Sequence, residues 1–408
     1  MRQRIMTAAL ALGVLVVGPI ACSTEQAAPL PVDEASGEGH GAVADAAELA
    51  EPRLGLTTID PTGGVSHLDL QDDSVSDLGA IGAPETMTTD GRYLFATTSA
   101  GIEIVDSGVW TWDHVDHFHY YRAEPRLLGT VEGDGEPAVA TSNLSTSGGT
   151  GLYFPDSGDA VLLDTEALSR GEIAESFRLQ NPPGDGMVVP VGTFALVTDG
   201  VGESRTVVGY TADGRRTGLV EPCPDAAGTI TTRVGAVVGC SDGALVASAT
   251  GDELTVERIP YPADATAPPA TAFDNREGRP TVAGLAGDQG IWLLDTREKS
   301  WTLLPTPTPL VHVSAVDDSD ENVLGLATDG RVLVLNGSDG SVVAETGPLV
   351  ASSVAAGKAP TLIADQQRAY LSAPDERRLY EIDYADDARI SRTFETATEP
   401  AFTAETGR

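Results

Sequence analysis

Cysteine, histidine and basic residues are all scarce in this 408-residue chain: three Cys, six His, and 25 Lys plus Arg against 61 Asp plus Glu. The basic deficit leaves a formal charge of −36, which repels polyanions and argues against nucleic acid and anionic lipid as partners. Most of that acidity reads as solubility, with divalent cations concentrated near the surface. Long stretches of helical periodicity are missing, which excludes a helical bundle. No glycine-rich phosphate loop follows a strand and opens a helix, and no Gly-x-Ser-x-Gly elbow appears. The acidic run "DDSDEN" (317–322) lacks the twelve-residue spacing of a calcium loop and reads as a turn. With only four tryptophans and no recognisable catalytic set, a quinoprotein- or lactonase-like enzyme is the weakest reading, and the chain is expected not to be an enzyme.

What is present begins with a leader. Two arginines precede the apolar run "IMTAALALGVLVVGPIA", and a small residue stands before Cys22, so residues 1–21 read as a secretory signal peptide. The run is too short for a convincing membrane span. "GPIAC" (18–22) resembles a bacterial lipobox with Cys22 as the lipidated residue. Residues 22–52, rich in Ala, Glu, Pro and Gly, read as a flexible tether, and residues 53–408 as the folded body. The protein is therefore expected outside the cytoplasm, anchored to the outer face of the membrane by lipid alone, with soluble periplasmic or secreted protein as the alternative. Cys223 and Cys240 remain, an even pair in an oxidising compartment, and are expected to form one structural disulfide.

From Arg53 onward, short runs of Val, Leu, Ile, Tyr and Thr are broken every six to ten residues by Asp-Gly, Gly-Asp or Ser-Gly. This predicts an all-β fold with tight turns. The texture repeats with a period of roughly 40–50 residues, the size of a four-stranded propeller blade. Full units start near Pro84, Pro137, Gly186, Ala226, Phe273, Val311 and Ser353, the fifth (Phe273–Pro305) being weak. Residues 53–80 supply three further strand-like runs, and "EPAFTAETG" (399–407) supplies one. Together they predict a closing blade, hence a single β-propeller of eight blades, with seven as the alternative, its ring closed by N- and C-terminal strands.

Half of the six histidines fall in one segment, "TWDHVDHFHYY" (111–121), which is longer than the hairpin expected at that point of its unit. If the segment is extended, Asp113, His117 and His119 alternate onto one face, with His114 and Asp116 on the other. Imidazoles two apart, with carboxylates beside them, are a typical zinc set. The competing reading makes the histidines ordinary hydrogen-bonding residues among packing aromatics. His312, in the apolar run "PLVHVSAV", reads as a buried hydrogen-bonded residue, and His67 as a weaker candidate still.

On "DHVDHFHYYRAEPRLLG" (113–129), the pair "CP…GCSDG" around Cys223 and Cys240, and "YEIDYADDARISRTFETATEPAFTAETGR" (380–408), the chain resembles the AztD-type periplasmic zinc metallochaperones. That resemblance implies an exported propeller with Zn2+ as its ligand and His117 and His119 as zinc ligands. It also implies delivery to the solute-binding protein of a zinc ABC transporter. Such proteins carry further histidines in the N-terminal tail, after the motif and after the Cys-Pro pair; here the tail keeps His40, while Asp134, Asn143 and Asp225 are the oxygen ligands that would substitute. A monomer is expected. The alternative function is a non-enzymatic scaffold that holds a protein or cell-envelope partner without metal.

Overall fold

The computed structural model describes residues 41–113 and 117–408. The expected signal peptide, Cys22, His40, His114 and Asp116 lie outside the described residues. Nearly all ordered structure is antiparallel strand, with two five-residue helices at Thr165–Ser169 and Ala351–Ala355. Among the described residues, no helix is long and apolar enough to cross a membrane.

The strands that matter for the site come first. They are β1 (Ala47–Leu49), β2 (Gly55–Ile59), β3 (Gly64–Asp69), β4 (Val75–Ala80), β5 (Thr86–Thr89) and β6 (Tyr93–Thr98). After them come β7 (Gly101–Asp106), β8 (Val109–Asp113), β9 (Phe118–Arg122) and β10 (Arg126–Val131). β5, β6, β7 and β10 form one four-stranded sheet. Further four-stranded meanders follow over 138–180, 188–222, 229–260, 310–345 and 362–395. Another combines both ends of the body: the strand Phe402–Thr406 pairs with β2, which pairs with β3 and then β4.

The weak unit is weak in space as well. Its sheet has three strands over 281–304, and its innermost position is reduced to the isolated bridges Asp274↔Ala283 and Asn275↔Ala315.

Sequence explains the layering inside each sheet. Middle strands such as Tyr93–Thr98 and Asn322–Ala327 are buried on both faces, hence their continuous apolar runs. Outer strands such as Glu253–Pro260 alternate exposed and covered residues, as a half-solvated strand must. The Asp-Gly turns work as their chemistry requires. Asp90 accepts from the backbone N–H groups of Arg92 and Tyr93 at 3.0 and 2.7 Å, and Gly91 takes the left-handed conformation at φ +84°.

Apolar side chains from neighbouring sheets meet in shared cores. Phe95 and Ile104 pack with Leu152 and Phe154 of the next sheet, Trp292 and Leu294 with Ala244 and Ile259, and Leu56 and Leu68 with Tyr370 and Leu379. Cys223 and Cys240 are joined by the expected disulfide, Cα atoms 5.0 Å apart, inside one such core.

Candidate metal site on an appended hairpin

β7 does not turn directly into the outer strand. The chain leaves the sheet at Asp106, forms the hairpin β8–β9, and returns as β10, whose Arg126 pairs with Asp106. The excess length noted in the sequence is this hairpin. A third strand lies against it: β1 pairs antiparallel with β9, Ala47 opposite Arg122 and Leu49 opposite Tyr120. Part of the stretch assigned by composition to the tether is thus the edge strand of a separate three-stranded sheet.

The root of the hairpin is firmly held. Arg92 makes a two-pronged ion pair with Asp106 at 2.9 Å per bond, both residues fully buried, and Arg126 adds a third bond at 2.9 Å. The Arg92 guanidinium lies 3.7 Å over the Trp110 ring, and Trp110 stacks on Tyr121 at 5.4 Å. The Trp110 indole N–H donates to the Gly41 carbonyl at 3.1 Å, and the Thr111 hydroxyl donates to Gly407 O at 2.7 Å. Gly41 abuts Trp112 so closely, at φ +78°, that a Cβ there would lie 2.4 Å from the ring.

Register then decides which side chains meet. Trp112 is opposite His119 and Trp110 opposite Tyr121, and directly opposed residues share a face. Glu48 on β1 is opposite Tyr121, so it joins the same face. There the imidazoles of His117 and His119 approach edge to face at 4.7 Å, with Nε2 of one 2.9 Å from Nε2 of the other. The opposite nitrogen of His119, Nδ1, is 2.7 Å from Glu48 Oε1. The face assignment for Asp113 needs correcting: it is opposite Phe118, on the other face from His119. β8 and β9 run antiparallel, so alternation counted along β8 does not carry over to β9.

His117 and His119 are thus brought together as expected, and Glu48 is the residue that sequence reasoning missed. The other candidates have structural surroundings. Asn143 donates to the Thr232 carbonyl at 2.9 Å, and Asp225 sits at φ +47° in the turn after Cys223. His67 accepts or donates at Nδ1 with the Thr57 hydroxyl at 2.9 Å, and burial lowers its pKa.

His312 faces a cavity of about 380 Å³, lined also by Asp274, Glu277, Glu405 and Arg408. Its Nε2 is 2.8 Å from Asp274 Oδ2. Burial works to lower the His312 pKa, but the bond to Asp274, its charge and a backbone bond at Leu362 outweigh it and hold the ring above its ordinary value. In the same cavity burial pushes the Glu405 carboxyl up to about 8. No group of three or more His, Cys, Asp or Glu able to hold a metal occurs among the described residues. On the hairpin face, two imidazole nitrogens and one carboxylate lie close together.

No protein-family model and no curated protein matches this chain. Two solved structures of AztD from Citrobacter koseri, one of them the apo form, superpose with TM-scores of 0.72 and 0.73 at 17% and 18% identity. They cover 88% of this chain and 98–99% of theirs. The dihydro-heme d1 dehydrogenase NirN is more distant, with a TM-score of 0.51 at 14% identity over 88% of this chain and 80% of that one. The sheet-by-sheet meander and the superposition agree: this chain has the β-propeller fold of AztD.

Proposed function

We propose that the protein is an extracytoplasmic zinc-binding propeller that takes up zinc at His117 and His119 and acts as a metallochaperone or accessory factor in zinc uptake. The observation that carries this reading is the convergence of the two Nε2 atoms at 2.9 Å. Two nitrogens on one tetrahedral zinc stand about 3.3 Å apart, given bonds of about 2.0–2.1 Å. A small rotation of either ring would accommodate the ion. His114 and Asp116 are the nearest in sequence to complete the set.

Further parts of the proposal rest on other features. Core clusters join each meander to the next, and the last to the sheet of β2, which supports a ring of eight blades, the three-stranded sheet counting as one. Lipidation at Cys22 would keep the protein at the membrane face, where a transporter's solute-binding protein is the natural recipient of the metal. We read the protein as non-enzymatic and monomeric.

Zinc titration at neutral pH against a competing chelator tests the central claim. The purified chain is expected to bind one equivalent, and His117→Ala/His119→Ala is expected to bind none. A parent protein that binds no zinc would leave the hairpin a structural element and the propeller a scaffold.

A further inference from the structure

Glu48 reaches the site from far away in the chain, 71 residues from His119, and approaches the nitrogen that does not face His117. Imidazole with a carboxylate on one nitrogen is fixed in the tautomer that leaves the other nitrogen's lone pair available to a metal. Here Glu48 Oε1 accepts the Nδ1–H, so Nε2 of His119 presents its lone pair toward His117. The carboxylate is carried by a strand of only three residues, two of them exposed, with Glu48 itself 57% exposed. Such a strand buries little apolar surface, and its main ties are the β9 ladder and the Trp110–Gly41 bond. Segments with few buried contacts open at low free-energy cost.

We infer that Glu48 is a positioning residue for the metal at His117 and His119, and that docking of the segment 41–49 and metal binding are coupled. This rests on the zinc reading given above. The coupling is reciprocal by thermodynamic necessity: whatever factor the docked strand adds to metal affinity, bound metal adds to docking. An N-terminal segment leading toward the proposed membrane anchor would thereby report whether the site is loaded. Undocking it would loosen the metal without disturbing any propeller core.

The test uses the zinc ion alone with the full chain. Zinc affinity by chelator competition is measured for the parent, Glu48→Ala and Glu48→Gln. Alanine should weaken zinc by about 10–100-fold, the usual effect of losing a partner behind a metal-binding histidine. Glutamine, whose amide oxygen still accepts the Nδ1–H, should recover most of that loss. Nitrogen chemical shifts of His119 in the metal-free protein should show the Nδ1–H tautomer in the parent and in Glu48→Gln, and a mixture in Glu48→Ala. Hydrogen exchange at residues 47–49 should slow when zinc is added. Glu48→Ala binding zinc as tightly as the parent would overturn the inference while leaving the zinc site standing, and so would exchange at 47–49 that ignores zinc. A parent that binds no zinc would instead remove the site itself, and the coupling with it.

Discussion

Two histidines of this protein are paired with a carboxylate at almost the same distance, His119 with Glu48 at 2.7 Å and His312 with Asp274 at 2.8 Å. Their surroundings differ, beginning with the second ring nitrogen. In His119 it faces another imidazole. The His312 ring instead lines the cavity shared with Glu277, Glu405 and Arg408. The carboxylates differ too. Asp274 belongs to the reduced inner position of the three-stranded sheet, and bonding to His312 pins that remnant to the neighbouring sheet. Glu48 belongs to an appended edge strand. A histidine–carboxylate pair by itself is therefore no sign of a metal site.

The sharpest way to break this contrast is to exchange the two regions' losses. Removing both imidazoles of the hairpin, His117→Ala/His119→Ala, should lower zinc affinity by at least about 100-fold, since in the proposed site each nitrogen is one ligand of the set. The thermal midpoint should stay within about 2 °C, because the hairpin lies outside the blade cores. A double variant that binds zinc like the parent would sink the assignment. His312→Ala should do the reverse. Zinc affinity should be unchanged, while stability in a urea melt should fall by about 1 kcal/mol. A bond to a charged partner contributes about 1.5–3 kcal/mol, reduced here because both side chains are one-third exposed.

A finer contrast lies in pH. The folded pKa of His312 is raised, so its contribution is full below about 6.5 and is lost as pH rises through the raised value. The stability gap between the parent and His312→Gln should accordingly be larger at pH 5.5 than at pH well above that value; a gap that grows with pH would show the pair to be mis-assigned. His67 supplies the opposite sign and the smallest effect. Its pKa is lowered by burial, so its contribution is full above about 6.5 and is lost as pH falls through the lowered value. Compared with the parent, His67→Gln should therefore lose less stability on acidification, read from urea melts at pH 7.5 and pH 5; an equal loss would show that the buried ring does not contribute.

Much of this was legible in the chain. Asp-Gly turns bounding apolar runs place the inner strands: units read from Pro84, Pro137 and Gly186 begin at Thr86, Ala138 and Val188. The excess length after Asp106 marked the hairpin, and the even cysteine pair marked the disulfide. Two features were not legible, for physical reasons. The face of Asp113 depended on the antiparallel register of β8 and β9, which alternation does not encode. Glu48 lies in "AELAEP", whose composition is that of a solvated linker, and a three-residue strand is too short to show any period. Its order comes from β9 and from the Trp110 and Trp112 rings, which are distant in sequence.

The pairing of β2 with Phe402–Thr406 also dictates an order of events. Thr57 and Thr406 touch across 349 residues, so the first full sheet of the body cannot be completed until nearly the whole chain is available. Until then β2, all five of whose residues end up buried, offers an open apolar edge to any other strand it meets. Contacts of such sequence separation slow folding, because the loop must close before the pairing rewards it. The edge left open during folding is thus the same one that the strand Phe402–Thr406 finally covers.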